Sequence, residues 1–211
     1  MNENAKTFTF LGLAAALAAL AYFTSPADLK EITQASKKGL ELFSFSATEA
    51  SGIEVVEMTT PEDGASVKKS IQVTEETGGW YIKRPQFNYP ADAKGKVGRM
   101  ATSLAGLLIH DLESDTQGDH AKFGVLDPTD SAEVSNAEDK ANDVGKRLTI
   151  KKGPDALATL LVGKELPEPN QGLRYVREPG KSEVYSVKFD DYAEISTQFV
   201  DWVEKDFLDL D

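Results

Sequence analysis

The hydrophobic and polar positions of the chain follow three successive patterns. An apolar run without a charged residue begins at Phe8 and ends at Phe23. Apolar residues at helical spacing follow between Asp28 and Phe45, and from Ile53 onward apolar and polar residues alternate. Spacings of three and four are typical of helices, and alternation is typical of half-buried strands. The order of these patterns predicts a hydrophobic helix, a juxtamembrane helix or stalk, and then a region rich in sheet.

Two groups of strands are predicted, each followed by a helix. The strand segments are residues 53–56, 67–73 and 80–82 in the first group and residues 147–151, 157–162, 174–177 and 183–187 in the second. The helix after the first group is predicted to begin with Asp92 as its N-cap and to reach about Asp111. The helix after the second group is predicted over residues 192–208, with Ile195, Phe199, Trp202, Val203 and Phe207 on one face.

These elements together predict an α+β fold. An N-terminal transmembrane helix precedes two halves, each a β-meander plus a helix, with mainly antiparallel sheet. The predicted boundaries are residues 1–25 for the membrane anchor, 26–48 for the juxtamembrane helix or stalk, 49–128 for the first half, 129–143 for an acidic loop and 144–211 for the second half.

The apolar run from Phe8 to Phe23 has three interpretations. As a helix it spans about 24 Å, close to the ~30 Å hydrocarbon core of a bilayer, which favours a retained membrane anchor. Ala19 and Ala21 have the small-x-small spacing of a signal-peptidase site, which would favour cleavage. A buried helix of a soluble domain is the third interpretation, and it would need a large core to cover an apolar surface on every side.

Composition excludes several classes of function. The formal net charge of −12 argues against binding to nucleic acid, because phosphate contacts need a basic face. The chain has no cysteine, which excludes disulfides, thiolate nucleophiles and zinc–sulfur or iron–sulfur sites.

His110 and His120 flank the best candidate for a metal site. The residues between them include carboxylates that could offer oxygen ligands to calcium, namely Asp111, Glu113, Asp115 and Asp119. The glycine and the terminal glutamate of an EF-hand loop are not matched, and the segment follows a predicted helix. A solvated acidic turn is therefore favoured, and we expect no metal and no cofactor.

Nucleophilic catalysis has weak support. Ser103 and Ser114 lie near His110 in sequence, but Thr102 and Leu104 flank Ser103 where a nucleophile elbow has other residues. The Asp190–Asp191 pair is one of many in an acidic chain and is expected to be solvated. We therefore predict no catalytic residues and no enzymatic activity.

Two further segments have residue types that occur in binding sites. Gly163 and Lys164 do not complete a phosphate loop, since Glu165 occupies the Ser/Thr position, and a turn is favoured there. Four aromatic residues could line a binding groove, although core and rim positions are commoner for such residues: Trp80, Tyr81, Phe87 and Tyr89.

An ordered set of short segments resembles the domain-of-unknown-function family 4340. The segments are Gly79-Trp80-Tyr81 with Pro85, the helix after Pro90, Phe123-Gly124-Val125-Leu126-Asp127-Pro128, Leu160-Leu161-Val162-Gly163-Lys164-Glu165, Arg174-Tyr175-Val176-Arg177, Val184-Tyr185-Ser186-Val187 and Phe199-Val200-Asp201-Trp202. The resemblance covers roughly residues 50–208. It implies a single N-terminal membrane anchor, an extracytoplasmic α+β region and a frequent genomic setting beside ABC-type transport components of the gliding-motility kind. It implies no activity and no catalytic residue.

The leading functional expectation is a non-catalytic accessory or interaction module of the cell envelope. Its membrane partner would be reached through the run from Phe8 to Phe23, and its protein partners would belong to a membrane complex. A count of lysines around the run favours a cytoplasmic C-terminal side, whereas the resemblance implies an extracytoplasmic one. The alternatives are an envelope metal-binding hydrolase centred between His110 and His120, and a secreted ligand-binding protein.

Overall fold

The computed structural model describes residues 37–61, 65–170 and 172–204 of the chain. The predicted membrane anchor, from Phe8 to Phe23, lies outside these residues, and so does the predicted stalk as far as residue 36. Within the described ranges, no helix combines the length and the apolar character that crossing a bilayer requires.

Nine strands and three helices make up the described part of the chain. The strands are β1 (Gly52–Thr59), β2 (Val67–Glu76), β3 (Gly79–Lys83), β4 (Asn88–Pro90), β5 (Ile109–Ser114), β6 (Lys146–Lys152), β7 (Asp155–Glu165), β8 (Leu173–Arg177) and β9 (Val184–Lys188). The helices are α1 (Lys94–Ala105), α2 (His120–Phe123) and α3 (Ser131–Ser135). Short 3-10 turns cover Ala47–Glu49, Gln117–Asp119, Asp190–Glu194 and Phe199–Asp201.

All nine strands belong to one antiparallel sheet, in the order β4-β3-β2-β1-β6-β7-β8-β9-β5. The prediction of an α+β fold with two separate halves is therefore wrong. The two strand groups are joined edge to edge by β1 and β6, and α1 is the one helix of more than five residues in the described ranges. The seven predicted strand segments all coincide with strands of this sheet.

The β1–β6 pair joins the two groups because both strands place apolar residues on the same face. Ile53 lies opposite Ile150, and Val55 lies opposite Leu148. All four side chains are fully buried. Apolar cross-strand pairs stabilise a sheet directly, and separating the strands would expose all of them to water.

One face of the sheet is covered by α1 and by the C-terminal segment. Val97, Met100, Ala101 and Leu104 of α1 are buried and belong to the same core cluster as the β1 and β6 side chains. Trp202 joins this cluster from the C-terminal side. We refer to this side of the sheet as the first face.

The helix after Pro90 is shorter than predicted. It begins after Ala93 without a side-chain cap, so the prediction of Asp92 as the N-cap is wrong. The Asp92 N–H donates to the Trp202 carbonyl at 3.0 Å. The helix ends at Ala105 and not at Asp111. The following residues lie on the sheet, since the backbone of residues 107–109 bonds to that of residues 39–42.

The predicted C-terminal helix is also absent over the part that the structure describes. Residues 195–198 are extended between two 3-10 turns, and residues 205–208 lie outside the described ranges. The hydroxyl groups explain the difference, because the Ser196 Oγ accepts from the Gln198 N–H and the Thr197 Oγ1 donates to the Glu57 carboxylate. The Ser196 bond is local and offers the backbone an alternative to helix, whereas the Thr197 bond holds the extended segment against β1.

The described part of the predicted stalk is not helical. The Gly39 and Leu42 N–H groups donate to the Ile109 and Leu107 carbonyls at 2.8 Å, and the Leu40 carbonyl accepts from the Ile109 N–H at 2.9 Å. The segment therefore lies antiparallel beside the start of β5, with Glu41 opposite Leu108. Phe43, directly after it, is the first described residue of the buried core.

Trp202 provides a direct test of the first face. Its side chain is fully buried, its indole N–H donates to the Ser196 carbonyl at 2.9 Å, and the Lys96 ammonium lies 4.6 Å from the ring centre. Trp202→Ala should lower the free energy of unfolding by about 3–5 kcal/mol, because it leaves a large cavity. Urea denaturation of a fragment of residues 37–211 measures this. The exposed Val200 is the matched control, and Val200→Ala should change stability by less than about 0.5 kcal/mol. Equal losses in both variants would contradict the core assignment.

Candidate functional site

A connecting segment covers the opposite, second face of the sheet. Arg147, Leu161, Arg177 and Val184 lie opposite one another across β6, β7, β8 and β9 and share this face. The chain crosses over them between β5 and β6, in residues 115–145, which include α2 and α3. Phe123 and Val125 of the crossing segment pack with Val184 and Tyr175 in a small apolar cluster of their own.

The crossing segment approaches β7 more closely than a side chain would permit. A Cβ atom on Gly163 would lie 2.4 Å from the Phe123 carbonyl oxygen, and a Cβ atom on Gly124 would lie 2.6 Å from the Asn142 carbonyl oxygen. Gly124 also has a φ of +71°, which favours glycine. Two of the segments that carry the family resemblance therefore meet backbone to backbone. The prediction of a turn at Gly163 and Lys164 is wrong, because both residues lie within β7.

A buried arginine fixes the crossing segment to β8. Arg177 is 1% exposed. Its Nε–H donates to the Val125 carbonyl at 3.0 Å, its Nη1 donates to the Lys181 carbonyl at 3.2 Å, and its Nη2 pairs with the Glu133 carboxylate of α3. A guanidinium keeps its charge at physiological pH, so its burial requires this full set of acceptors.

A second ion pair lies beside the first. Arg147 of β6 pairs with the Asp127 carboxylate, whose other oxygen accepts from the Thr129 N–H at 2.8 Å and from the Thr129 hydroxyl. The Asp127 N–H donates to Glu133 at 2.7 Å, which connects the two pairs. We refer to Asp127, Glu133, Arg147 and Arg177 as the polar clasp, since their contacts hold the crossing segment on the sheet.

His120 is buried next to the clasp. Its Nε2 lies 3.0 Å from the Ser182 carbonyl oxygen, and its Nδ1 has no hydrogen-bond partner. The Nε2 must therefore carry the proton of the neutral ring. Burial lowers the pKa of His120, and the nearby Arg177 charge lowers it further, against the raising effect of the Ser182 bond. The imidazole is thus held neutral and away from solvent.

The residues predicted as a metal candidate do not form a single turn. His110, Asp111 and Glu113 lie on the edge strand β5, with His110 exposed, whereas His120 is buried on α2. Over the described ranges, no group of three or more histidine and acidic side chains is placed to hold a metal ion. The expected acidic turn after a helix is wrong for residues 109–114, because they pair with β9.

The serines and the acidic pair named in the sequence are engaged elsewhere. The Ser103 hydroxyl donates to the Asp191 carboxylate, and the Ser114 hydroxyl donates to Asp119 at 2.7 Å. Asp190 lies 3.5 Å from the Lys188 ammonium. In these contacts both serines bond to carboxylates and not to a histidine.

A polar pocket of about 190 Å³ lies beside Gly124 and Gly163. Its three cations each contact a carboxylate, in the pairs Lys146–Glu57 at 3.2 Å, Lys164–Asp143 at 3.5 Å and Arg174–Glu165 at 3.4 Å. The charges of this pocket therefore balance within the protein.

An aromatic groove of about 540 Å³ lies at the β4 edge of the sheet. It is lined by Arg84, Pro85, Gln86, Phe87, Tyr89 and Phe199. Phe87 and Tyr89 were named in the sequence as candidate groove residues, whereas Trp80 packs against the first-face core. The sequence analysis does not name Phe199 or Arg84 as groove residues. Phe199 reaches the groove from a C-terminal turn that the sequence predicts as a helix.

Removal of Arg177 tests the polar clasp. Arg177→Met should lower the free energy of unfolding by about 3–5 kcal/mol, because the Glu133 carboxylate is left partly buried without its cation. The double variant Arg177→Met with Glu133→Leu should lose less than the single variant, since no unpaired charge remains. Urea denaturation of the same 37–211 fragment measures both. A double variant less stable than the single one would contradict this account.

Comparison with known proteins agrees with the resemblance drawn from the sequence. The model of the family described as a domain of unknown function, DUF4340, matches residues 80–211. No curated protein and no solved structure matches the chain. The family match begins in β3 and includes α1, the crossing segment with its polar clasp, and strands β5 to β9. It covers well over half of the sequence, and the chain therefore belongs to the DUF4340 family.

Proposed function

We propose that this protein is a non-catalytic accessory module of the cell envelope, held at the membrane by the apolar run from Phe8 to Phe23, which binds a protein partner through its aromatic groove. The groove is the observation that carries the proposal. Phe87 in it is 63% exposed and Tyr89 41% exposed. Exposed apolar patches of this kind mark interaction sites on soluble surfaces.

The contacts of the buried polar groups support the proposal of a non-catalytic role. The four charged side chains of the polar clasp are paired with one another and bond to backbone groups of the crossing segment. His120 is buried, and its Nε2 lies 3.0 Å from the Ser182 carbonyl oxygen. These groups are used to hold the second face together.

Residues 37–42 and the groove lie at opposite edges of the sheet, which suits an anchored binding module. The first described residue, Lys37, donates to the Tyr185 hydroxyl at 2.8 Å, and residues 39–42 lie beside β5 at one edge of the sheet. The groove lies at the other edge, beside β4. Eight strand spacings separate β5 from β4, about 38 Å measured along the sheet.

The proposed location is the extracytoplasmic side of the cell membrane, with one membrane span. The proposed partners are components of an ABC-type transport or gliding-type complex. Both statements rest on the family to which the chain belongs, together with the apolar run and its length.

Charge in the apolar run should release the protein from the membrane. The full chain should stay with membranes through carbonate extraction, and the variant with Leu13→Arg and Leu17→Arg should not, because each central arginine costs about 2.5–3.5 kcal/mol of insertion. Immunoblots of the pellet and the supernatant measure this. The matched control is Leu29→Arg with Ile32→Arg, outside the run. Recovery of the unmodified chain as a shortened soluble species would support a cleaved, secreted ligand-binding protein instead.

A photo-crosslinker in the groove should capture the partner. Benzoylphenylalanine at position 87 of the full chain, irradiated in native membranes, should give an adduct with an integral membrane protein of one complex. The same group at position 108, exposed at the β5 edge, is the control and should not give that adduct. Identical adducts at both positions, or none at position 87, would contradict the proposed role of the groove.

A further inference from the structure

The aromatic groove carries exposed apolar side chains. Six large apolar residues are exposed in the described ranges, and two of them, Phe87 and Tyr89, line the groove. The Phe199 ring packs edge-on against Tyr89 at a centroid distance of 5.2 Å, which connects the C-terminal turn to β4. The groove is thus built from two separate chain segments that hold aromatic rings in fixed positions.

Arg84 gives the groove a positive charge. Its guanidinium lies 5.8 Å from the Phe199 ring centre. Among the described residues, no carboxylate pairs with Arg84, whereas the adjacent Lys83 lies 2.5 Å from the Glu76 carboxylate. An arginine beside an apolar surface, with no acidic partner among the described residues, is suited to bind a carboxylate from outside, since its fork of N–H donors fits carboxylate oxygens.

The outer edge of β4 already accepts an added backbone. The Glu204 N–H donates to the Pro90 carbonyl at 3.1 Å, and Val203 lies antiparallel opposite Ala91. Within the described residues, which end at Glu204, this pairing reaches the end of β4 beyond Tyr89. An extended segment that pairs with this edge in the same direction passes along Tyr89 and Asn88 towards Phe87.

We propose that the groove binds an extended peptide of another protein by strand addition at the β4 edge. The peptide places an apolar side chain against Phe87 and Tyr89 and a carboxylate against Arg84. Backbone bonds to the edge give affinity, and the alternate side chains give specificity. The cavity volume of about 540 Å³ lies within the range of ordinary ligand sites. This inference rests on the proposed function, since it names the kind of partner that the same groove takes.

A random heptapeptide library displayed on phage tests the inference. The full chain is held in phosphatidylcholine nanodiscs, and enriched peptides are synthesised and measured by fluorescence anisotropy. We expect enrichment of peptides that carry an acidic residue near an apolar one. Arg84→Ala and Phe87→Ala should each weaken binding by about tenfold or more, as hot-spot residues do. Leu108→Ala, at the opposite edge, should leave the affinity unchanged, and circular dichroism confirms the fold of each variant.

A charge reversal gives a positive signal that loss of folding cannot imitate. Arg84→Glu should lose the acidic peptides and enrich basic ones from the same library. Selected peptides that bind all variants equally, or a library without enrichment, would overturn the inference.

Two other occupants of the groove have their own signatures. A tenfold gain in peptide affinity on deletion of residues 205–211 would assign the groove to the chain's own end and overturn the inference. A dimer in analytical ultracentrifugation that Phe87→Ala dissociates would assign it to a second copy, with the same consequence. Crosslinks from position 87 that persist while peptide selection fails would leave the proposed function standing and overturn only the peptide class.

Discussion

Backbone pairing between β1 and β6 is the contact on which the rest of the sheet depends. The strands before β5 and those after it form two meanders. Joined at Ile53–Ile150 and Val55–Leu148, they form one first face wide enough for both α1 and Trp202. The crossing segment on the second face depends on the same pair, because its Asp127 binds Arg147 of β6.

Three of the segments that carry the family resemblance have a common physical role. Phe123 to Pro128, the Gly163 region of β7 and Arg177 of β8 all meet where the crossing segment lies on the second face. Each needs a particular residue type there, since two backbones approach within contact distance and a buried cation needs acceptors on several sides. These residues stabilise the scaffold, and the exposed groove at the far edge is formed by different ones.

Seven of the nine strands could be predicted from alternation, but β4 and β5 could not. Ile109 and Leu112 are spaced by three, which continues the pattern of α1, because register shifts beside His110 and Glu113 interrupt the period of two. The C-terminal segment was misread for a related reason, since its apolar residues follow helical spacing while Ser196 and Thr197 bond to neighbouring groups. Of the candidate site, Phe87 and Tyr89 could be named from the sequence. The burial of Arg177 and the placement of Arg84 beside Phe199 depend on contacts between residues far apart in the chain.

The attachment of residues 37–42 at the sheet edge has a mechanical consequence for an anchored domain. If the chain is anchored as proposed, tension from the membrane side would act first on the Lys37–Tyr185 bond and then on the three backbone bonds between residues 39–42 and residues 107–109. These bonds come before Phe43, where the chain enters the core, so they can break while the sheet remains folded. Release of residues 37–42 would add six residues, about 20 Å of extended chain, to the connection between the proposed anchor and the domain. The edge segment would thus supply extra chain length under tension, and the groove could follow a moving partner while the domain stays folded.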